Sequence, residues 1–280
     1  MNELSSGNLY IVSTPIGNLD DITLRGIETL KNSDIILCED TRHSIKLLNH
    51  LNIKKKLISY HKFNEKKQIS TVIEHINKGK TMSIISDAGT PLLSDPGISL
   101  VKECIKKNIK VIPIPGVSSI TAAMSVSGFN DQFLFIGFLP KKDGELDKLL
   151  SSFMNFKYSI VFFIPASKIN FYLKKFKIFF SGRKIMIAKE MTKIHEEIFR
   201  GNLRDFQLFK DSIKGELTVI ISENELKTKE LDSSKIKPKI KKYLKKYSLK
   251  DTVDLIFETE GVSKKEIYKL CLKEKNEKNY

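Results

Sequence analysis

Short apolar runs alternate with longer segments whose apolar positions recur every three or four residues. LYIVS (9–13), DIILCE (34–39), KLISYH (56–61), TMSIIS (81–86) and KVIPIP (110–115) are rich in β-branched and aliphatic side chains and read as strands. Between them, residues 21–32, 43–51, 65–80 and 98–108 carry helical spacing, and GVSSITAAMSVSG (116–128) starts another helix. This alternation predicts an α/β domain on a largely parallel sheet. Around 130–145 a strand runs into a linker of Pro, Lys and Gly, which marks a boundary. Beyond it YSIVFFIP (158–165), INFYLKKFKIFF, KIMIAKE (184–190), EEIFRGNLRDF and GELTVIISE (215–223) predict a smaller α/β or mixed-sheet domain. From about residue 227 a lysine-dense linker and helix precede two short helices around Gly261. The expected domains are 1–130, 131–226 and a helical tail, 227–280; no internal repeat interrupts them.

With 280 residues and 41% hydrophobic content, the chain can bury a sizeable core. No apolar run approaches the ~18 residues of a membrane span. The first residues lack the basic and apolar regions of a signal peptide. Three scattered cysteines, Cys38, Cys104 and Cys271, form neither a disulfide framework nor a CxxC pair, so the cytoplasm is the expected compartment. The formal net charge of +15 suggests an anionic partner. Only five of the 48 basic residues are Arg, the side chain preferred for bidentate phosphate contacts. Codon bias in an AT-rich genome produces the same lysine excess, so charge alone leaves both readings open.

One stretch escapes the lysine bias. SDAGTPLLSDPG, Ser86 to Gly97, has no Lys or Arg but two Asp, two Gly and two Pro. It succeeds the fourth strand, as STPIGN succeeds the first and PGVSS the fifth. In parallel sheets ligands bind beyond the carboxyl ends of the strands. Gly lets a backbone approach a ligand, and Pro stiffens the loop. Asp87 is placed to accept from a ligand amine or hydroxyl, and the absence of Lys suits a cationic or zwitterionic ligand. Neither GxxxxGK[ST] nor a GxGxxG after the first strand is present, so phosphate cradles are poorly supported.

STPIGNLDDITLRGIETLKNSDIILCEDTRHSIKLL, SYHKFNE, ISDAGTPLLSDPG, PGVSSITAAMSVSG and FLFIGFLP together resemble the ribosomal RNA small subunit methyltransferase I family. This is a branch of the tetrapyrrole-methylase-like, class III methyltransferases. MTKIHEEIFRGNL, KGELTVIIS and GVSKKEIY fit the same pattern. The resemblance implies two α/β domains with S-adenosylmethionine between them. It implies 2′-O-methylation of a cytidine ribose in the decoding region of 16S rRNA within the 30S subunit, by a homodimer. The cofactor site it implies comprises Pro15 and Gly17, then Asp87, Ala88, Gly89, Thr90 and Pro91, then Gly116, Val117, Ser118 and Ser119, with Phe138 and Leu139 beside them.

Methyl transfer is an in-line displacement that needs an aligned ribose oxygen and help in removing its proton. In CEDTRHS (38–44) Glu39 and Asp40 are candidate acceptors, Arg42 a candidate phosphate or acid clamp and His43 a substrate contact. The competing reading makes Asp40 or Thr41 a helix cap with a solvated Arg42. In SYHKFNE (59–65) His61 is a catalytic candidate and Asn64 a substrate contact; Phe63 stands where the family commonly has a second His. In TKIHEE (192–197) Lys193, His195 and Glu196 are candidate cleft residues by resemblance. No His pairs with Cys or an acid at a ligand spacing, so no metal is expected.

Where the family has an acid and a His-Arg pair after the first strand of the second domain, FFIPASKIN (162–170) has Ile164, Ser167 and Lys168. KIKPKIKKYLKKYSLK (235–250), with Tyr243 and Tyr247 interleaved, can meet rRNA phosphates or form a solvated amphipathic helix. The scaffold also carries tetrapyrrole-precursor and diphthine-type methyltransferases, and a third alternative is a non-catalytic RNA-binding remnant. The basic tail, CEDTRHS and SYHKFNE favour RNA.

Overall fold

The structure, a computed structural model, describes residues 7–211, 213–224, 233–260, 262 and 264–276. Among them the strands form two five-stranded sheets. The first comprises β1 (Leu9–Val12), β2 (Ile35–Cys38), β3 (Lys56–Ser59), β4 (Met82–Ile85) and β5 (Val111–Ile114). It is parallel throughout, in the order β3-β2-β4-β1-β5. Crossover helices α1 (Leu24–Asn32), α2 (Thr41–His50), α3 (Glu65–Asn77) and α4 (Ile98–Lys106) connect its strands.

β2 and β4 are buried along their whole length, as strands covered on both faces must be. Leu9, Leu37, Met82 and Ile84 face one layer with Val72, Ile76 and Leu100. Val12, Ile36, Cys38 and Ile85 face the other with Leu30 and Leu48. A fully buried Leu or Ile contributes about 1.5–3 kcal/mol relative to exposure. α1 starts where the Thr23 hydroxyl accepts from the Gly26 amide at 3.0 Å.

The second sheet contains β6 (Phe133–Phe138), β7 (Ser159–Pro165), β8 (Lys184–Lys189), β9 (Glu197–Asn202) and β10 (Glu216–Ile221), in the order β6-β7-β10-β8-β9. Only β6 and β7 are parallel, so the sheet is mixed. One face, with Ile160, Phe162, Ile187 and Val219, packs on α6 (Asp143–Ser152) and α7 (Ile169–Phe180). The other, with Val161, Met186, Ala188 and Ile220, packs on Ile120 and Ala123 of α5 (Ser119–Ser125). α5 comes after the last strand of the first sheet but covers the second, so the two sheets share one compact unit, residues 1–223.

Two elements differ from the sequence expectation. The linker after β6 contains α6, in which only Leu146 and Leu150 are buried and Leu149 packs beside them, too sparse a pattern to stand out in sequence. β6 carries a bulge, with Phe135 opposite Val161 and Gly137 opposite Phe162. The extra residue bends the strand and re-aims its last residues.

Residues 224–280 form a second unit. Its helices α8 (Ser233–Tyr243), α9 (Leu249–Glu260) and α10 (Lys264–Asn276) close on Ile240, Ile256, Ile267 and Cys271. Residues 225–232, which include the start of the linker expected from about 227, and Gly261 lie outside the described residues. Among the described residues no helix is long and apolar enough to cross a membrane.

Candidate active site

β2 and β4 lie side by side, and the chain leaves them in opposite directions, toward β3 and β5. Such a switch point opens a crevice beyond the carboxyl ends of the strands. The loops there are tied together. Thr14 and Gly89 exchange backbone hydrogen bonds at 2.9 and 3.0 Å. The Thr14 hydroxyl donates to the Ser86 carbonyl at 3.1 Å. The Thr90 hydroxyl donates to the Val117 carbonyl at 3.0 Å and lies 3.2 Å from the Ser13 hydroxyl. The turns after β1, β4 and β5 therefore act as one rigid floor.

The second sheet supplies the opposite wall, with Phe138 and Phe163 at a ring separation of 5.5 Å, Ala188, Leu217 and Thr218. The cleft between floor and wall encloses about 590 Å³, within the range of small-molecule sites.

Five carboxyl groups line it: Glu39, Asp87, Asp95, Glu190 and Glu216. Among the described residues the one cation in the lining, Lys193, sits 2.9 Å from Glu190. Burial pushes the Glu39 carboxyl above its usual range, and the Asp87 charge adds to this. Burial, then the charges of Glu39 and Asp87, push Asp95 up to about 6. Asp87 accepts the Asp40 backbone N–H at 3.3 Å. Crowded carboxylates in a partly dry cleft favour a positively charged guest. Among the described residues no three His, Cys, Asp or Glu side chains are grouped to hold a metal.

The sequence profile of the tetrapyrrole (corrin/porphyrin) methylases matches residues 8–207. Ribosomal RNA small subunit methyltransferase I of Rickettsia prowazekii is 43% identical over 279 residues, 97% of this chain and 98% of that protein. The chain belongs to the ribosomal RNA small subunit methyltransferase I family. The Thermotoga maritima protein of that name is 43% identical over 222 residues, 78% of this chain and all of that protein. Uroporphyrin-III C-methyl transferase from Thermus thermophilus, complexed with S-adenyl homocysteine, shares the fold: TM-score 0.56, 16% identity, 78% of this chain and 98% of that one. Diphthine synthase does so with a TM-score of 0.59 at 12% identity, over 78% and 90% of the two chains.

Of the cofactor residues expected from the family pattern, Asp87, Ala88, Gly89, Thr90, Ser118, Ser119 and Phe138 line the cleft. Val117 is joined to the floor through its carbonyl. Pro15 and Pro91 are buried outside the lining, and Leu139 belongs to the core of the second sheet. Gly116 packs on Ser13, where an added Cβ would lie 2.9 Å from the Ser13 Cβ. Gly17 stands at the rim, against Thr192 and Lys193.

The family's other expected residues separate more sharply. Glu39 and Lys193 line the cleft, whereas Asp40, Arg42, His43, His61, Asn64, His195 and Glu196 do not. Asp40 caps α2, accepting from the Arg42 amide at 2.9 Å, and pairs with the Arg42 guanidinium at 2.7 Å. That guanidinium holds the Asp40 carboxyl far below the usual carboxylate range. His61 accepts from the Phe63 amide at 3.2 Å, and its nearness to Glu39 opposes part of the upward push on that carboxyl. Asn64 accepts from the His61 amide at 2.8 Å and donates to the Ser59 carbonyl at 2.9 Å, fixing its own turn. His43 and His195 are exposed, and Glu196 accepts from the Thr192 amide at 2.6 Å. Ile164 is buried in the second core, while Ser167 and Lys168 are exposed on a 3-10 turn.

Sequence reasoning missed Ser94, Asp95, Glu190 and Glu216 as lining residues. A signal existed for Ser94 and Asp95, which lie in the lysine-free stretch. Glu190 and Glu216 border different strands and come together only through the second sheet's antiparallel pairing.

Proposed function

We propose that this chain transfers a methyl group from S-adenosylmethionine to the 2′-oxygen of a cytidine ribose in the decoding region of 16S rRNA. It does so on the small ribosomal subunit, in the cytoplasm, as a homodimer. Family membership supports methyl transfer to ribosomal RNA as the activity. The observation that carries the cofactor reading is the acid-lined cleft at the strand ends, with its single, already paired lysine. Its residues fit the cofactor: carboxylates for the sulfonium and ammonium charges, apolar Ile16, Leu93 and Ile120 for the adenosine, and room for both. When bound, S-adenosylmethionine supplies a methyl group on a positively charged sulfur.

The remaining tasks fall to the chain. Asp87 and Asp95 would hold the positive groups of the cofactor, and Ser118 and Ser119 would offer hydroxyls to its polar groups. Glu39 accepts the ribose proton, since a carboxyl with a raised pKa binds a proton more readily than an ordinary one. His61 stands behind it and tunes it. Lys242, Lys245, Lys246 and Tyr247, exposed around the end of α8, offer phosphate and stacking contacts to the RNA. Resemblance to the family supports the dimer.

The test is methyl transfer from labelled S-adenosylmethionine to 30S particles lacking the modification, with Asp87→Ala beside wild type. The expected label sits on the 2′-oxygen of one decoding-region cytidine. The variant falls by about 10- to 100-fold, the loss of a charged contact. Cofactor binding without RNA methylation, together with methylation of a tetrapyrrole precursor, would overturn the RNA reading.

A further inference from the structure

The two sheets approach each other closely at the cleft rim at two glycines, and at one of them a hydrogen bond joins them as well. At one, Gly17 lies against Thr192: an added Cβ would stand 2.6 Å from the Thr192 Oγ1, 2.5 Å from the Lys193 Cγ and 2.8 Å from the Met191 carbonyl oxygen. The Thr192 hydroxyl accepts from the Asn18 amide at 2.9 Å. At the other, Gly137, at the bulge of β6, lies against Ser94, whose Oγ is 2.8 Å from where a Cβ would sit. Thus each side of the molecule gives one glycine and receives one hydroxyl.

Both hydroxyl residues are strained. Thr192 has φ 65° and Ser94 φ 76°, a region that side chains other than glycine enter rarely and β-branched ones least of all. Such outliers persist only where their surroundings over-determine them, and they gather at clamps and switches. Glu196 anchors Thr192 by accepting its amide. The neighbours of both contacts, Ile16, Met191, Lys193, Ser94 and Phe138, line the cleft.

We infer that these two glycine–hydroxyl contacts form a clasp that holds the cleft shut over the cofactor and sets how fast the spent cofactor leaves. Thr192 and Gly137 are positioning residues in this scheme and touch no reacting atom. Backbone strain at both hydroxyl residues biases the closed form toward opening, which product release requires. The inference rests on the reading of the cleft as the cofactor site.

The experiment times the release of labelled S-adenosylhomocysteine, chased with excess unlabelled compound, from the full-length protein. Thr192→Val keeps the β-branch and its strain but removes the acceptor, and is expected to speed release about five- to tenfold, the loss of one hydrogen bond. Thr192→Ser keeps the hydroxyl and stays within about twofold of wild type. Gly137→Ala pushes on Ser94 and also speeds release. Melting curves confirm that each variant is folded. Unchanged release in both Thr192→Val and Gly137→Ala overturns the clasp while leaving the cofactor site in place. Equal acceleration by Val and Ser at position 192 overturns the role of the hydroxyl. A folded wild type that does not bind S-adenosylhomocysteine overturns the cofactor reading, and the clasp with it.

Discussion

The loops after β2 and β4 end side by side, and each brings carboxyl groups to the same end of the sheet. They use them differently. After β2, Asp40 is satisfied locally by the α2 amides and the Arg42 guanidinium. Its neighbour Glu39 turns the other way, into the cleft, as successive residues on extended backbone do. After β4, Asp87 and Asp95 sit in twelve residues without a cation, and both line the cleft. Asp87 and Asp95 accept from the Asp40 amide and the Ser86 hydroxyl but meet no cation among the described residues, so what separates a structural acid from one available to a ligand is the supply of a paired cation. Three of the four carboxyl groups on these two loops are left for a guest.

The strongest way to break this comparison is to neutralise the acids left for a guest. Glu39→Gln keeps size and removes the proton acceptor, and is expected to lower kcat by about 10²- to 10⁴-fold. Cofactor KM should change little. Single-turnover rates within threefold of wild type would remove Glu39 from the chemistry.

Asp95→Asn acts on binding and on stability, in opposite directions. Loss of a charged contact weakens S-adenosylhomocysteine binding by about 10- to 100-fold, measurable by calorimetry. The folded state raises this group from 3.8 to about 6, so folded protein holds the proton more tightly than unfolded protein. The stability it contributes is then full below pH 3.8 and is lost as the pH rises through about 6. Asn carries no such penalty. Thermal melts should show the advantage of Asp95→Asn over wild type growing between pH 4 and 6 and levelling off above. A parallel pH dependence in the two proteins would mean that Asp95 titrates normally. By the same linkage, wild-type affinity for a cationic ligand falls as the pH drops through about 6.

How far the sequence reveals this site depends on the same local-versus-distant distinction. Strand alternation, the parallel sheet and the special loops at β1, β4 and β5 are written in contiguous residues, where periodicity and turn chemistry act. The lysine-free stretch points to its ligand by composition alone. Asp40 reads in sequence both as a cap and as a proton acceptor, and the backbone geometry at that one residue decides for the cap. Glu190 and Glu216 carry no motif, since the pairing of β8 and β10 brings them to the wall. α6 has only two buried leucines to announce it. The sharing of α5 with the second sheet is likewise invisible to a reading that assigns each helix to the strands before it.

The smallest expected effect is also the most discriminating. Asp40→Asn retains an oxygen that can accept the Arg42 amide, and Asn caps helices as well as Asp. Arg42→Ala removes a guanidinium whose side chain is 88% exposed and which, among the described residues, meets only Asp40. Both variants should keep kcat within about twofold of wild type. Asp40→Ala, which has no cap acceptor, should lower the melting temperature slightly with kcat again unchanged. If Asp40→Asn instead lost as much activity as Glu39→Gln, a capped and salt-paired acid would be serving the reaction. Partner supply would then no longer distinguish the two loops, and the proton acceptor would have to be sought on the rim of the cleft, beside Arg42.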